Sequence, residues 1–344
     1  MVSAELIATR QFRLTNSTIP NPAPGEIQVL VKAVGICGSD LHYYFEGGIG
    51  DTPCVYPMVL GHEPAGEVLR TGDGVTGWTA GSHAVLEPAI FCYHCEFCRT
   101  GHHNVCSHLR FLSQPSDPGF FREVVNLPAA NVLPLPRHLS FSEGALAEPL
   151  AIALHSLKFA LPAPGDTVAV FGAGPIGLMT VAALRLSGVA RVWAVEPVAH
   201  RREMALHMGA DAVIDPQSED VTRRIRQDTG QRGVDIAIDC ATKNGTMNLC
   251  LRITRNAGRV VYTGIPSEPA VALEFHEVRR KELALYAVRR SNHETEMALR
   301  ILAERPAFFA PLLTHHVTLD RIAYGFELLE NYSEGVGKVT VTPS

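Results

Sequence analysis

Aromatic residues are scarce in this chain, 7% of 344 positions with only two tryptophans, and charged residues are modest at 19%. The net charge of -5 is spread along the sequence without an acidic or basic block, so neither nucleic acid nor an anionic membrane surface is an expected partner. The opening stretch MVSAELIATRQFRL lacks the long apolar core of a secretion signal. The most apolar run, TVAVFGAGPIGLMTVAAL (167–184), is interrupted by three glycines and a proline at a strand-to-helix junction, which argues against a membrane span. Internal repeats, low-complexity tracts and flexible linkers are also missing. These absences leave a globular chain of about two domains, expected in the cytoplasm.

Cysteine, by contrast, is concentrated. Of eight in the chain, Cys92, Cys95, Cys98 and Cys106 fall within fifteen residues as Cys-x2-Cys-x2-Cys-x7-Cys. In a reducing compartment this spacing suits metal ligands better than disulfides, the alternative reading. Four thiolates suit tetrahedral zinc and leave no open coordination position, so this zinc would be structural, stapling a loop with little core of its own. A second set is Cys37, His62 and Glu63, flanked by Gly35, Gly38, Gly61 and Gly66. One thiolate, one imidazole and one carboxylate supply three ligands and keep a position free for water or substrate.

Residues 25–35 alternate and are rich in β-branched types, and short strands separated by glycine turns follow, with no long helical period before about residue 140. Helical spacing begins at FSEGALAEPLAIALHSL (141–157). After a turn at 162–166, strands and helices alternate: TVAVF, a helix through Ser187, RVWAVE, a helix through Met208, AVID, DIAIDC, a helix near 244–254, and RVVYTG. That alternation indicates a doubly wound parallel sheet with helices on both faces. Helical periods at 295–304 and 320–331 and a last strand, KVTVT, are expected to return to the first domain. The expected domains are 1–149 with 287–344, and 150–286.

Gly172, Gly174 and Gly177 follow the strand TVAVF and open a helix with Pro175 at an early position. Gly172 permits the tight turn, Gly174 lets a pyrophosphate approach the backbone, and Gly177 lets helix and strand pack closely. The helix N-terminus offers free N–H groups to phosphate. Glu196, at the end of the next strand, can accept hydrogen bonds from the adenosine ribose and would repel a 2′-phosphate, favouring NAD over NADP. Arg201 and Arg202 follow it and could reach such a phosphate.

In order and interval over nearly the whole chain, GICGSDLHY (35–43), GHEPAGEV (61–68), the four-cysteine lobe, EGALAEPLAIALH (143–155) and FGAGPIG (171–177) resemble the zinc-dependent medium-chain dehydrogenase/reductase family. GICGSDLHYY, PMVLGHEPAGEV and EGALAEPL are most similar to its polyol (sorbitol/xylitol-type) dehydrogenase branch. The resemblance implies an α/β fold: a Rossmann doubly wound parallel sheet plus a β-rich GroES-like catalytic domain. It implies two zinc ions per chain, one catalytic and one structural, with NAD as cofactor and a homotetramer or dimer as assembly. Cys37, His62 and Glu63 would hold the catalytic zinc. Glu148, standing where alcohol dehydrogenases have a second thiolate, would be a fourth ligand or a carboxylate on the zinc water. Asp40 would orient the zinc histidine and Ser39 would take the alcohol proton; His42 would relay it to solvent or contact the cofactor ribose. Pro175, Ile176, Arg201, Thr263, Ile265 and Val288 would contact the dinucleotide, and Tyr43 and Arg289 a polyol.

The lobe is whole here, whereas animal sorbitol dehydrogenases have lost most of it. Arg290 stands where the polyol pattern has tyrosine, and either faces solvent or a subunit interface, or favours an anionic substrate. The implied activity is NAD-dependent oxidation of a secondary hydroxyl of a sugar alcohol to a ketose, a step of carbohydrate metabolism. Alternatives are a sugar-acid (L-idonate-like), polyol-phosphate or L-threonine dehydrogenase and, outside enzymes, a non-catalytic NAD-binding zinc protein.

Overall fold

The computed structural model describes residues 1–242 and 245–343. The chain forms two compact units, Met1–Glu148 with Asn292–Ser344, and Pro149–Ser291. The return to the first unit comes at Asn292, five residues beyond the expected 287. Strand Ala284–Ala287 pairs in parallel with Thr254–Tyr262, and the Val288 N–H donates to Tyr262 O at 2.9 Å, so the sheet of the second unit keeps hold of this segment.

The first unit is built on a seven-stranded sheet in the order Val132–Pro134, His83–Leu86, Glu63–Thr71, Glu26–Gly35, Lys338–Thr342, Leu313–Thr318, with Val124–Pro128 also pairing Glu26–Gly35. Ile27, Val29 and Val31 bury one face of the central strand, and Phe120, Phe121 and Phe326 fill the core beneath it. The register matters for function: Gly35 lies opposite Glu63 on one side and Thr340 on the other. A Cβ at Gly35 would come within 1.9 Å of Glu63 Oε2 and 2.8 Å of Lys338 Cε, so only glycine admits both side chains there. The stretch 141–157 is two helices rather than one, Phe141–Ala145 and Ala147–Ala160. Pro149 lacks an N–H and is tolerated only in a first turn, so the chain restarts its helix just before it.

The second unit carries a six-stranded, all-parallel sheet in the order Ala212–Ile214, Arg191–Val195, Thr167–Phe171, Val234–Asp239, Thr254–Tyr262, Ala284–Ala287. Numbered along the chain this is 3-2-1-4-5-6, the doubly wound order whose reversal lies between Thr167–Phe171 and Val234–Asp239. Every residue of Val234–Asp239 is buried, as expected where helices cover both faces. Of the helix expected near 244–254, the described part is Thr246–Ile253, and Asn244 lies outside the described residues. No helix among the described residues is long and apolar enough to cross a membrane.

Candidate metal centres and dinucleotide cradle

Cys37 precedes a four-residue helical turn, Gly38–Leu41, and its N–H donates to Asp40 Oδ2 at 3.0 Å. Gly61, with φ of 88°, turns the chain so that His62 stands just ahead of the next strand and Glu63 opens it. The candidate ligand atoms of Cys37, His62 and Glu63 all lie within 4.8 Å of one another. His62 Nδ1 faces Asp40 Oδ1 at 3.4 Å, an electrostatic contact, and its Nε2 is 3.4 Å from Ser39 Oγ. Asp40 Oδ1 also accepts the Gly61 N–H and the Ser113 hydroxyl, each at 3.2 Å. Burial raises the Asp40 carboxyl, but His62 and the N–H groups of Cys37 and Gly61 outweigh it and hold the group below its usual range. Burial likewise lowers His62, while the charges of Asp40 and Cys37 carry it well above the ordinary histidine value.

Glu63 is fully buried and ion-paired with Lys338, whose Nζ also donates to Ile36 O at 2.9 Å. Burial lowers Lys338, and Glu63 and Cys37 more than restore it. Glu63 Oε1 has no hydrogen-bond partner. A buried carboxylate oxygen with a vacant lone pair, beside a thiol and an imidazole, is the donor set a zinc ion takes, and the residues fit it. Glu148 lies outside this group of three yet close enough to feel it. Burial pushes its carboxyl up to about 8, with His62 drawing it down and Glu63 adding to the rise.

The four lobe cysteines are all free thiols, with Sγ separations of 3.9 Å for Cys92–Cys98 and Cys95–Cys106 and 3.4 Å for Cys92–Cys106. A disulfide needs about 2.05 Å, whereas sulfurs around a tetrahedral zinc stand about 3.8 Å apart. The spacing therefore fits the metal and corrects the disulfide alternative. The N–H groups of Cys95, Cys98 and His108 point at Cys92, Cys95 and Cys106 Sγ at 3.3, 3.5 and 3.3 Å. The Cys98 N–H in particular draws the Cys95 thiol below its usual range. His94 and His108 stack on each other in exposed positions, apart from the sulfur cluster.

In the second unit, Gly172 adopts φ of 84° straight after strand Thr167–Phe171, and Pro175 is the first residue of helix Pro175–Leu186. A Cβ at Gly177 would stand 1.8 Å from Gly172 O, so Gly177→Ala is expected to push the helix off the loop and abolish NADH binding, checked by fluorescence titration. Glu196 is 4% exposed and already engaged: its oxygens accept the N–H groups of Ala173 (2.7 Å) and Val198 (2.9 Å). It thus shapes the loop as well as presenting a carboxylate at the strand end. Arg202 donates to Glu196 O and Pro197 O and pairs with Asp215, which commits it elsewhere than to a 2′-phosphate. Arg201 is buried, with Nη1 4.0 Å from a Cβ position at Gly174. Ile176 is half-buried. Thr263 shares a 3.0 Å hydrogen bond with Ser156, and Ile265 is exposed.

Among the remaining expected residues, His42 Nδ1 contacts Glu46 Oε2 at 2.9 Å. Tyr43 is packed into the core at 2% exposure. Arg289 is exposed, and Arg290 is half-buried with φ of 56°. Sequence reasoning missed Lys338 and Ser113. A lysine heading the strand KVTVT, whose first four residues are all buried, was the available signal for the first; the second had none.

Residues 23–137 match the alcohol dehydrogenase GroES-like domain and residues 175–304 the zinc-binding dehydrogenase family. The chain is 31% identical over 344 residues to a sorbitol dehydrogenase of Bacillus subtilis (strain 168), spanning 100% of this chain and 98% of that protein. It is 31% identical over 324 residues to an L-idonate 5-dehydrogenase of Vitis vinifera, spanning 93% and 88%. A short chain alcohol dehydrogenase of Escherichia coli CFT073, solved with the cofactor NADH, superposes with a TM-score of 0.90 at 29% identity over 99% of each chain. With both candidate metal-ligand clusters and the glycine loop in one chain, these similarities place the protein: it belongs to the zinc-dependent medium-chain dehydrogenase/reductase family, in its polyol dehydrogenase branch.

Proposed function

We propose that the protein oxidises a secondary hydroxyl of a sugar alcohol to a ketose, with NAD as hydride acceptor, one zinc at Cys37, His62 and Glu63, and a second at the four-cysteine lobe. The observation that carries this reading is the convergence of Cys37, His62 and Glu63 within 4.8 Å around a buried carboxylate oxygen that has no hydrogen-bond partner. When bound, the open-site zinc supplies Lewis acidity to the substrate hydroxyl, and the dinucleotide supplies the hydride acceptor. Asp40 holds the His62 ring through Nδ1 and leaves Nε2 for the metal. Ser39 Oγ, beside that Nε2, takes the substrate proton. His42, backed by Glu46, passes it outward. Glu148 stands as an outer carboxylate, near enough to answer the charge at the site. The glycine loop and Arg201 hold the pyrophosphate, Ile176, Thr263, Ile265 and Val288 line the rest of the cofactor, and Glu196 selects NAD. By the family resemblance, Arg289 is assigned to the polyol, and Arg290 bears on substrate choice only under the second reading. The reading includes a cytoplasmic homo-oligomer, tetramer or dimer, which light scattering of the purified protein checks.

A second reading is a sugar-acid dehydrogenase, favoured by the likeness to the L-idonate enzyme and by Arg290 following Arg289. NAD reduction by the purified protein against sorbitol, xylitol, galactitol, L-idonate and a polyol phosphate, with and without a chelator, decides between them. The expected result is chelator-sensitive turnover on neutral polyols and much weaker turnover with NADP. Turnover on anionic substrates alone would move the assignment to the second reading, and none on any substrate would remove both.

A further inference from the structure

The segment from Cys106 to Asp117 leaves the four-cysteine lobe and runs directly behind His62. Its strand Arg110–Phe111 pairs antiparallel with Ala89–Ile90, and Phe111 shares a buried cluster with Phe91, Cys98 and Cys106. The Phe111 ring lies 5.5 Å from the His62 ring, tilted by 56°. Two residues on, Ser113 is 2% exposed and donates its hydroxyl to Asp40 Oδ1 at 3.2 Å, the oxygen that faces His62 Nδ1. Ser113 has φ of 86°, a left-handed conformation that a serine rarely adopts and a glycine would adopt freely. Its neighbours hold it there. The Ser113 N–H donates to Asp117 O at 2.8 Å, the Leu112 N–H to Pro88 O at 3.0 Å, and Arg110 Nε to Asp117 Oδ1 at 2.8 Å. A buried serine kept where glycine would be easier points to a use for its hydroxyl.

We propose that Ser113 and Phe111 are positioning residues for His62, Ser113 acting through Asp40 and Phe111 by packing on the imidazole. A loop rooted in the four-cysteine lobe then sets how tightly the Cys37, His62 and Glu63 site holds its metal. This rests on the reading of those three residues as a zinc site. Asp40 Oδ1 takes the Ser113 hydroxyl, the Gly61 N–H and the His62 contact together, and losing one donor loosens the hold on the oxygen that faces His62. Groups that hold a metal ligand from behind typically change affinity by 10–100-fold, and a residue one step further out is expected near the lower end.

The test is zinc affinity by chelator competition, with the visible spectrum of the cobalt-substituted protein, for wild type, Ser113→Gly and Phe111→Leu. Ser113→Gly suits the left-handed backbone, so it removes the hydroxyl without adding strain. The expected result is open-site zinc held about 10-fold less tightly in each variant, a shifted cobalt band, retention of the lobe zinc, and no fall in Tm for Ser113→Gly. Wild-type zinc affinity and cobalt spectrum in both variants would overturn the proposal and leave the zinc site standing. Wild-type protein that takes up only the lobe zinc would overturn the zinc-site reading itself.

Discussion

Replacing Cys37 by serine is expected to lower kcat/KM by roughly three orders of magnitude while leaving NADH affinity unchanged. Among the described residues, Cys37, His62 and Glu63 are the three groups whose ligand atoms converge within 4.8 Å here, and Cys37 is the one thiolate of the set. A serine hydroxyl is a poor zinc ligand, and two remaining donors hold the ion weakly. Losing Lewis-acid assistance removes several kcal/mol of transition-state stabilisation, and each 1.4 kcal/mol is about tenfold in rate. The glycine loop and Glu196 lie in the Pro149–Ser291 unit with their own sheet and hydrogen bonds, so the cradle survives the change. Steady-state kinetics, metal content and an NADH titration on one preparation check all three statements. Unimpaired turnover in Cys37→Ser would sink the assignment, and a non-catalytic NAD-binding protein would show the same cofactor affinity with no turnover in either form.

The second large effect concerns Lys338. Glu63 and Lys338 are almost wholly shielded from water, and each is the other's counter-charge. Lys338→Met keeps most of the apolar stem but leaves Glu63 as a buried charge without its partner, a change that costs about 3–5 kcal/mol. The size of the loss should depend on the metal. A zinc ion beside Glu63 supplies the missing positive charge, so the penalty is expected in full in protein stripped at the open site and to shrink on reloading. By linkage, the variant should bind open-site zinc more tightly than wild type. Urea denaturation of wild type and Lys338→Met, each with and without open-site zinc, gives the four stabilities required. An equal loss with and without zinc would mean that Glu63 answers only to Lys338 and does not reach the metal.

The motifs whose chemistry lies within a short stretch of chain are legible in the sequence. Four cysteines inside fifteen residues need only local turns to converge, so their spacing alone reports the cluster. The glycines at 172, 174 and 177 similarly report a local turn and a close helix–strand contact. The alternation of apolar runs with helical periods from residue 167 onward specifies the doubly wound sheet, since each element shows its own repeat. Local patterns are silent where one element ends inside another. The helix expected from 141 to 157 breaks ahead of Pro149, and the second unit keeps hold of the chain to Ser291 through backbone pairing that periodicity does not express.

What the sequence indicated by itself was therefore the chemical inventory and the architecture: two candidate metal-ligand sets, a glycine-rich strand-to-helix loop and a doubly wound parallel sheet. Only the tertiary structure decided which groups hold that inventory in place. Lys338 reaches Ile36 across 302 residues and Glu63 beside it, through the register of two antiparallel strand pairs that share Glu26–Gly35. Ser113 reaches Asp40 across 73 residues because a left-handed turn aims its hydroxyl inward. Glu196 closes on the backbone of the loop it was expected only to flank. Spacing along the chain sets which groups are available within a turn or two. Partners brought together by strand register and buried packing depend on every intervening element, and those contacts exist only once the whole core has formed.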